Sequence, residues 1–209
     1  MAARRSPFLK ALAALHDALR ECKAPAAVIG GVAIIARGVA RHTADIDATV
    51  LAAAVENRGL LACFAGHGFV ARIPKPLEFA RANQIVLLRH RITGVDLDLS
   101  LAWLPFEAEA IANAEPIEYA GVTLPCARAE DLLIYKLIAH RNRDLDDAER
   151  LLLLHRKAID MARVRRVLGQ LAEALEGPDR LMTLAQLAGR TGSGGAGRDR
   201  ARSRGGRSR

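Results

Sequence analysis

The chain has few aromatic residues and no long apolar run, and each scarcity excludes a class of protein. Trp, Tyr and Phe together make up 4% of the 209 residues, which is too few for a sheet that binds RNA by stacking bases on aromatic rings. No segment approaches the roughly 18–20 uncharged apolar residues of a membrane span. Lys10, His16 and Asp17 interrupt the first apolar stretch, so we expect neither a secretory signal nor a membrane partner.

Cysteine is also scarce. Cys22, Cys63 and Cys126 are odd in number, lie far apart and show no CxxC spacing, which argues against a zinc site. The histidines show no metal-ligand spacing with one another. We therefore expect three reduced thiols and a cytoplasmic protein.

Positive charge is concentrated at one end of the chain. The net charge is +8, and the segment 189–209 carries six of these charges because it holds seven Arg and one Asp. The remainder is close to neutral, which excludes a uniformly basic protein that coats nucleic acid. Gly, Ser and Arg dominate this segment, so it is predicted to be a disordered tail.

Hydrophobic periodicity and turn signals predict an α/β (α+β) fold. Ser6-Pro7 is typical of a helix start, and this helix is predicted to reach about Cys22. Strands are predicted at 26–29, 45–51, 69–73, 84–89 and 95–101, with a loop or edge at 74–76 and a hairpin of 117–119 with 122–125. Everything from 128 to 187 is predicted to be helical. We thus expect a mixed sheet flanked by helices in residues 1–127, a helical C-terminal region in 128–188, and the tail in 189–209.

Two acidic pairs lie in otherwise apolar predicted strands. Because side chains alternate along a strand, Asp45 and Asp47 share one face while Ile46 points to the core. Asp96 and Asp98 repeat this arrangement. Several carboxylates on one face are costly unless cations neutralise them, and oxygen ligands favour Mg²⁺ or Mn²⁺. The alternative is that these are the solvent faces of half-exposed strands.

A pair of glycines precedes the first acidic pair. Gly30-Gly31 follows a predicted strand and begins a helical turn, an arrangement that allows close backbone approach and aims amide groups at an anion. Alone it is typical of an ordinary tight turn. Here Arg41, Thr43 and the first acidic pair follow within seventeen residues. Backbone amides that bind phosphate, next to carboxylates that bind a metal ion, would together suit a nucleoside triphosphate.

These motifs resemble the signature of the DNA polymerase β-type nucleotidyltransferases. The resemblance rests on Val28-Ile29-Gly30-Gly31-Val32-Ala33, then Gly38, Arg41, Thr43 and Asp45-Ile46-Asp47. It continues through Asp98-Leu99-Ser100-Leu101 and Leu104-Pro105-Phe106-Glu107, and then through Glu130-Asp131-Leu132, Lys136 and Arg143-Asp144-Leu145-Asp146-Asp147. Within the superfamily the chain most resembles small bacterial nucleotidyltransferases, including toxins of abortive-infection toxin–antitoxin pairs.

The resemblance implies a role for each matching residue. Asp45, Asp47 and Asp98 would bind Mg²⁺ or Mn²⁺ and act in catalysis, with Asp96 as the competitor for the third position. Gly30, Gly31, Arg41, Thr43 and Lys136 would bind the nucleotide. Lys136 could equally be a solvated residue on a helix. Asp144 and Asp147 could simply be the acidic residues that are favoured at a helix N-terminus.

Two functions from different classes follow. The first is an enzyme that moves a nucleoside monophosphate from a nucleoside triphosphate to a hydroxyl of RNA, protein or a small molecule, with an antitoxin as a possible partner. The second is an inactive nucleotidyltransferase-like module that contacts nucleic acid through its basic tail. The presence of all three carboxylates favours the enzyme.

Overall fold

The computed structural model describes residues 6–51, 59–175 and 177–193. These residues fall into two compact units, the first ending at Arg128 and the second beginning at Ala129. No helix in the described ranges is long and apolar enough to span a membrane.

The first unit is built on a seven-stranded mixed sheet. Its strands are β1 (Ala26–Ile29), β2 (Ile46–Leu51), β3 (Phe69–Ala71), β4 (Ile85–His90), β5 (Asp96–Ala102), β6 (Glu115–Tyr119) and β7 (Val122–Cys126). They lie side by side in the order β3-β4-β5-β2-β1-β7-β6. The pairs β1–β7 and β2–β5 are parallel and the other neighbours are antiparallel. The predicted mixed sheet is confirmed.

Five described helices belong to this unit. They are α1 (Pro7–Glu21), α2 (Gly30–Ala36), α3 (Gly59–Gly66), α4 (Pro76–Asn83) and α5 (Pro105–Ala112). The predicted start of α1 is correct, because the Ser6 hydroxyl caps the helix by accepting from the Leu9 amide at 3.3 Å. Its apolar residues at helical spacing are buried, among them Leu12, Leu15 and Leu19.

The prediction of a loop or edge at 74–76 is wrong at its last residue. Pro76 is the first residue of α4, a position where the missing amide hydrogen costs nothing and the fixed φ suits a helix. Pro105 begins α5 in the same way. There Glu107 Oε2 accepts hydrogen bonds from the amides of Trp103 at 3.0 Å and Leu104 at 3.1 Å, so this carboxylate satisfies amides at the start of the helix.

The second unit is helical, as predicted. It comprises α6 (Ala129–Ala139), α7 (Asn142–His155), α8 (Met161–Ala174) and α9 (Asp179–Ser193). Because α9 continues to Ser193, the first five residues of the predicted disordered tail are helical. The rest of that tail, 194–209, lies outside the described residues.

The expectation of three reduced thiols is wrong for two of them. Cys22, at the C-terminal end of α1, and Cys63, in α3, form a disulfide with a Cα–Cα distance of 5.9 Å. Cys126 is free and buried, and burial raises the pKa of its thiol to about 11. Cys126 is therefore an inert core residue.

Candidate active site

The two acidic pairs lie on neighbouring strands. β2 and β5 are parallel, and their register places Asp47 directly beside Asp98. Asp45 immediately precedes β2, and Asp96 is the first residue of β5. The residues between the acids, Ile46 and Leu97, are fully buried, so side-chain alternation places the carboxylates together on the opposite face.

The predicted glycines meet this acidic face. Ile29, the last residue of β1, pairs with Asp47, and Gly30 follows with a φ of +60°. A Cβ on Gly30 would overlap the Asp47 carboxylate and lie 2.7 Å from the Asp47 Cβ atom. This position therefore requires glycine both for its backbone conformation and for the close approach of Asp47.

Thr43 and Arg41 lie close to Gly31, the second of the two glycines. A Cβ on Gly31 would lie 2.8 Å from the Thr43 Cβ and 3.3 Å from a terminal guanidinium nitrogen of Arg41. The Thr43 hydroxyl donates to Asp45 Oδ1 at 2.8 Å, and Arg41 Nε donates to the His42 carbonyl at 3.3 Å. The structure thus brings together the predicted glycines, Arg41, Thr43 and the first acidic pair.

Two arginines that the sequence analysis missed bind the second acidic pair. Arg72 follows β3 and donates both to Asp96 Oδ2, at 2.7 Å, and to Asp98 Oδ1. Arg89, on β4, donates through Nε to Asp96 Oδ1 at 2.6 Å. Arg89 and Asp96 are also register partners across β4 and β5. These cations offset part of the charge that the carboxylates concentrate on this face.

The environments of Asp96 and Asp98 shift their pKa values in opposite directions. The hydrogen bond from Arg89 lowers the pKa of the Asp96 carboxyl, and the charge of Arg72 adds to this effect. Burial raises the pKa of the Asp98 carboxyl; Arg72 opposes that rise, while the charges of Asp45 and Asp96 reinforce it. Asp45 of the first pair is thus among the charges that raise the pKa of Asp98 in the second pair.

These contacts distinguish the two competitors for the third carboxylate position. Both oxygens of Asp96 accept hydrogen bonds from arginines, so this residue already acts as an arginine partner. Asp98 instead lies beside Asp47 and accepts from Arg72 through Oδ1. Asp98 is therefore the acid of the second pair that lies in register with Asp47, and its role as the third carboxylate stays a prediction.

The structure pairs Lys136 with two aspartates, whereas the sequence predicted that it binds the nucleotide. It lies on α6 with a side chain 9% exposed, and its Nζ contacts Asp144 Oδ1 at 2.7 Å and Asp147 Oδ2 at 3.0 Å. All three side chains are buried. The two aspartates on α7 therefore serve as counterions within the helical unit, and the triphosphate role of Lys136 stays a prediction.

The acidic face suits a hard divalent cation. Asp45, Asp47 and Asp98 offer only oxygen atoms, the donors that Mg²⁺ and Mn²⁺ prefer. The Asp47 carboxylate occupies the space that a Cβ on Gly30 would fill. As the side chains are placed, the three aspartates do not form a group whose donor atoms all lie within 4.8 Å of one another. Holding one ion would require the carboxylates and Arg72 to rotate, so the metal role of the acidic face stays a prediction.

No protein-family model and no curated protein sequence matches the chain. Solved structures do resemble it. The solution structure of the antibiotic-resistance factor ANT(2'')-Ia has a TM-score of 0.56 at 22% identity, covering 82% of this chain and 97% of that one. The crystal structure of ANT(2'')-Ia with adenylyl-2''-tobramycin has a TM-score of 0.54 at 20% identity, covering 80% and 99%.

A third similar structure is an antigenic nucleotidyltransferase-like protein from Paracoccidioides brasiliensis. Its TM-score is 0.52 at 16% identity, with 85% of this chain and 92% of that chain covered. At these identities the likeness shows a shared fold. The shared fold agrees with the predicted mixed sheet flanked by helices and followed by a helical C-terminal region.

Proposed function

We propose that this chain is a metal-dependent nucleotidyltransferase. It would move a nucleoside monophosphate from a nucleoside triphosphate to a hydroxyl acceptor and release pyrophosphate. The observation that carries this proposal is the meeting of Gly30 with Asp47, which in turn lies in register beside Asp98. Ordinary half-exposed strands do not require a glycine turn to abut a carboxylate, or place a second carboxylate directly beside the first.

Each group at the acidic face has a role in this reaction. Asp45, Asp47 and Asp98 would hold Mg²⁺ or Mn²⁺, which when bound polarises the phosphate oxygens and lowers the pKa of a hydroxyl. The backbone amides at Gly30 and Gly31, with Arg41 and Thr43 beside them, would bind the triphosphate. These groups hold the α-phosphorus near the acceptor, and positioning of this kind is the main protein contribution to phosphoryl transfer.

The bond changes balance without a further reactant. The acceptor oxygen forms a bond to the α-phosphorus as the bond from that phosphorus to the bridging oxygen breaks, so pyrophosphate leaves. The acceptor proton passes to a carboxylate, and Asp98 is the best placed because it is half-buried beside Asp47. Arg72, already bound to Asp98, limits the repulsion among the acids.

The proposal also concerns which molecule supplies the acceptor hydroxyl. ANT(2'')-Ia has been crystallised with adenylyl-2''-tobramycin, which adds tobramycin and related small molecules to the first acceptors to test. RNA and protein hydroxyls, a toxin role with an antitoxin partner, and nucleic-acid contact through the tail stay predictions.

The test is transfer of label from α-³²P-labelled ATP, CTP, GTP and UTP in Mg²⁺. Three acceptor pools are used separately: tobramycin with related small molecules, total RNA, and lysate protein. Asp47→Asn removes one site carboxylate. The matched control is Asp17→Asn, which makes the same change of charge at a half-exposed position on α1.

The proposal expects label in at least one pool with the wild type and Asp17→Asn, and none with Asp47→Asn. Equal labelling by Asp47→Asn would contradict it. If no label moves and calorimetry finds no Mg²⁺-dependent nucleotide binding, the inactive module replaces the enzyme. Its nucleic-acid affinity should then fall steeply as salt rises.

A further inference from the structure

Two cysteines, a histidine and a glutamate meet where α1 ends beside α3. Glu21 is the last residue of α1 and Cys22 caps it. Cys63 lies one turn before the end of α3, and His67 follows four residues later, with its amide donating to the Cys63 carbonyl at 3.4 Å. Residues four apart on a helix share a face, so the backbone of α3 presents a thiol and an imidazole together to the end of α1.

The donor atoms of this cluster are close together. The two sulfur atoms and one ring nitrogen of His67 all lie within 4.8 Å of one another. Glu21 Oε2 lies 3.3 Å from His67 Nε2. A carboxylate bound to an imidazole is the usual arrangement for a metal-ligating histidine, because it fixes the tautomer and the orientation of the ring.

We propose that, when the Cys22–Cys63 disulfide is reduced, Cys22, Cys63 and His67 bind one Zn²⁺ ion, with Glu21 orienting the imidazole. Tetrahedral zinc with its usual bond lengths places two sulfur ligands about 3.8 Å apart and sulfur and nitrogen about 3.6 Å apart. The 4.8 Å spread of the donors and the 5.9 Å Cα–Cα distance allow these separations through side-chain rotation. The site leaves a fourth position for water.

The exchange of disulfide for metal balances with a dithiol reductant. The reductant's own S–S bond forms as the Cys22–Cys63 bond breaks, and its two protons pass to the two protein sulfurs. Zinc then displaces these protons, because thiolate is the form that binds metal. Both cysteines and His67 are partly exposed, so reductant and ion can reach them.

This site is separate from the acidic face in both chemistry and residues. Sulfur and imidazole ligands select zinc, whereas the aspartates offer the oxygen atoms that suit Mg²⁺. The two sites can therefore be tested independently, and failure of one leaves the other intact. The same two sulfurs would join α1 to α3 by a disulfide under oxidising conditions and by a metal under reducing conditions.

The experiment uses Co²⁺ as a spectroscopic probe on the full chain, reduced with a dithiol and desalted without oxygen. We expect one Co²⁺ per chain, with sulfur-to-cobalt charge transfer in the near ultraviolet and tetrahedral bands in the visible that Zn²⁺ abolishes. The oxidised chain should show neither signal. Cys22→Ser and Cys63→Ser should weaken or lose the charge transfer, and Cys126→Ser, at the buried free thiol, should retain it.

His67→Gln and Glu21→Gln test the rest of the cluster, and each should weaken Zn²⁺ binding at least about tenfold. Circular dichroism accompanies every titration. If reduction unfolds the chain, Zn²⁺ should restore its helical signal; if the reduced chain stays folded, Zn²⁺ should raise its Tm but not that of the oxidised chain. Absence of thiolate charge transfer in the folded reduced chain, its full retention in Cys22→Ser, or no rescue of an unfolded reduced chain would each overturn the proposal.

Discussion

Replacing Gly30 by alanine tests whether the glycine turn and the acidic face form one site. An L-residue in the left-handed conformation costs about 1–2 kcal/mol, and the φ of +60° at Gly30 lies in that region. The added Cβ would also lie 2.7 Å from the Asp47 Cβ atom, well inside ordinary contact. The Asp47 carboxylate must therefore move away from the position that the site requires.

Gly94→Ala is the matched control. Gly94 has a φ of +72° in the turn between β4 and β5, and a Cβ there would meet nothing within 4 Å. It therefore carries a similar backbone cost without displacing a site residue. In urea, with a slope of about 2 kcal/mol/M, Gly94→Ala should lower the midpoint of unfolding by about 0.5–1 M. Gly30→Ala should lower it by about 1 M or more, because its Cβ also overlaps Asp47.

Function should separate the two variants. Electron paramagnetic resonance measures Mn²⁺ binding, and label transfer measures catalysis. Gly30→Ala should lower both at least about tenfold, because it displaces a charged ligand of the metal, while Gly94→Ala should match the wild type. If Gly30→Ala and Gly94→Ala bind Mn²⁺ equally well, the glycine turn does not shape the metal site and the reasoning fails.

Three further predictions, made with four substitutions, probe the site and the two units. Asp98→Asn should lower Mn²⁺ binding and transfer at least about 100-fold, whereas Asp96→Asn, at an arginine partner, should lower them less than about tenfold; the reverse order would reassign the third carboxylate. Lys136→Met removes the cation that two buried aspartates share and should lower the free energy of unfolding by about 3–5 kcal/mol, so an unchanged urea midpoint would contradict the buried ion cluster. Burial lowers the pKa of His90 below its ordinary value of 6.5, so the unfolded chain binds a proton at this residue more readily than the folded chain. The contribution of His90 to the free energy of unfolding should therefore be fully present above about pH 6.5 and be lost as the pH falls below that value. His90→Leu should flatten this fall in thermal unfolding, and an unchanged pH profile would exclude His90 as its source.

Local patterns in the sequence predicted the parts of the fold and site that depend on neighbouring residues. The alternation around Asp45 and Asp47 predicts a strand with one acidic face, because each strand residue turns its side chain opposite to the last. Gly30 marks a turn that only glycine adopts easily. The hairpin over Ala120-Gly121 follows from turn chemistry in the same way, and the structure confirms it.

Local patterns in the sequence could not predict features that depend on which distant segments the fold brings together. Arg72 and Arg89 meet the second acidic pair only because β3, β4 and β5 lie side by side in one order. The disulfide joins Cys22 and Cys63 across 41 residues, and no spacing rule predicts such a pair. One local signal was available, since Cys63 and His67 are four residues apart in the sequence. The Pro76 helix was missed because proline suits both a loop and the first turn of a helix.

Two labels on one nucleotide distinguish transfer of a nucleotidyl group from transfer of a terminal phosphoryl group. ATP carrying ³²P at the α-position and ATP carrying it at the γ-position are incubated in parallel with Mg²⁺, the chain and the acceptor pool that supports transfer. If ATP labels none of the acceptor pools, it is replaced by whichever nucleoside triphosphate gives the most label. A nucleotidyltransferase moves the α-label to the acceptor and releases the γ-label in pyrophosphate. We predict this pattern for the wild type and its loss in Asp47→Asn. Transfer of the γ-label, or α-label transfer that persists in Asp47→Asn, would contradict it.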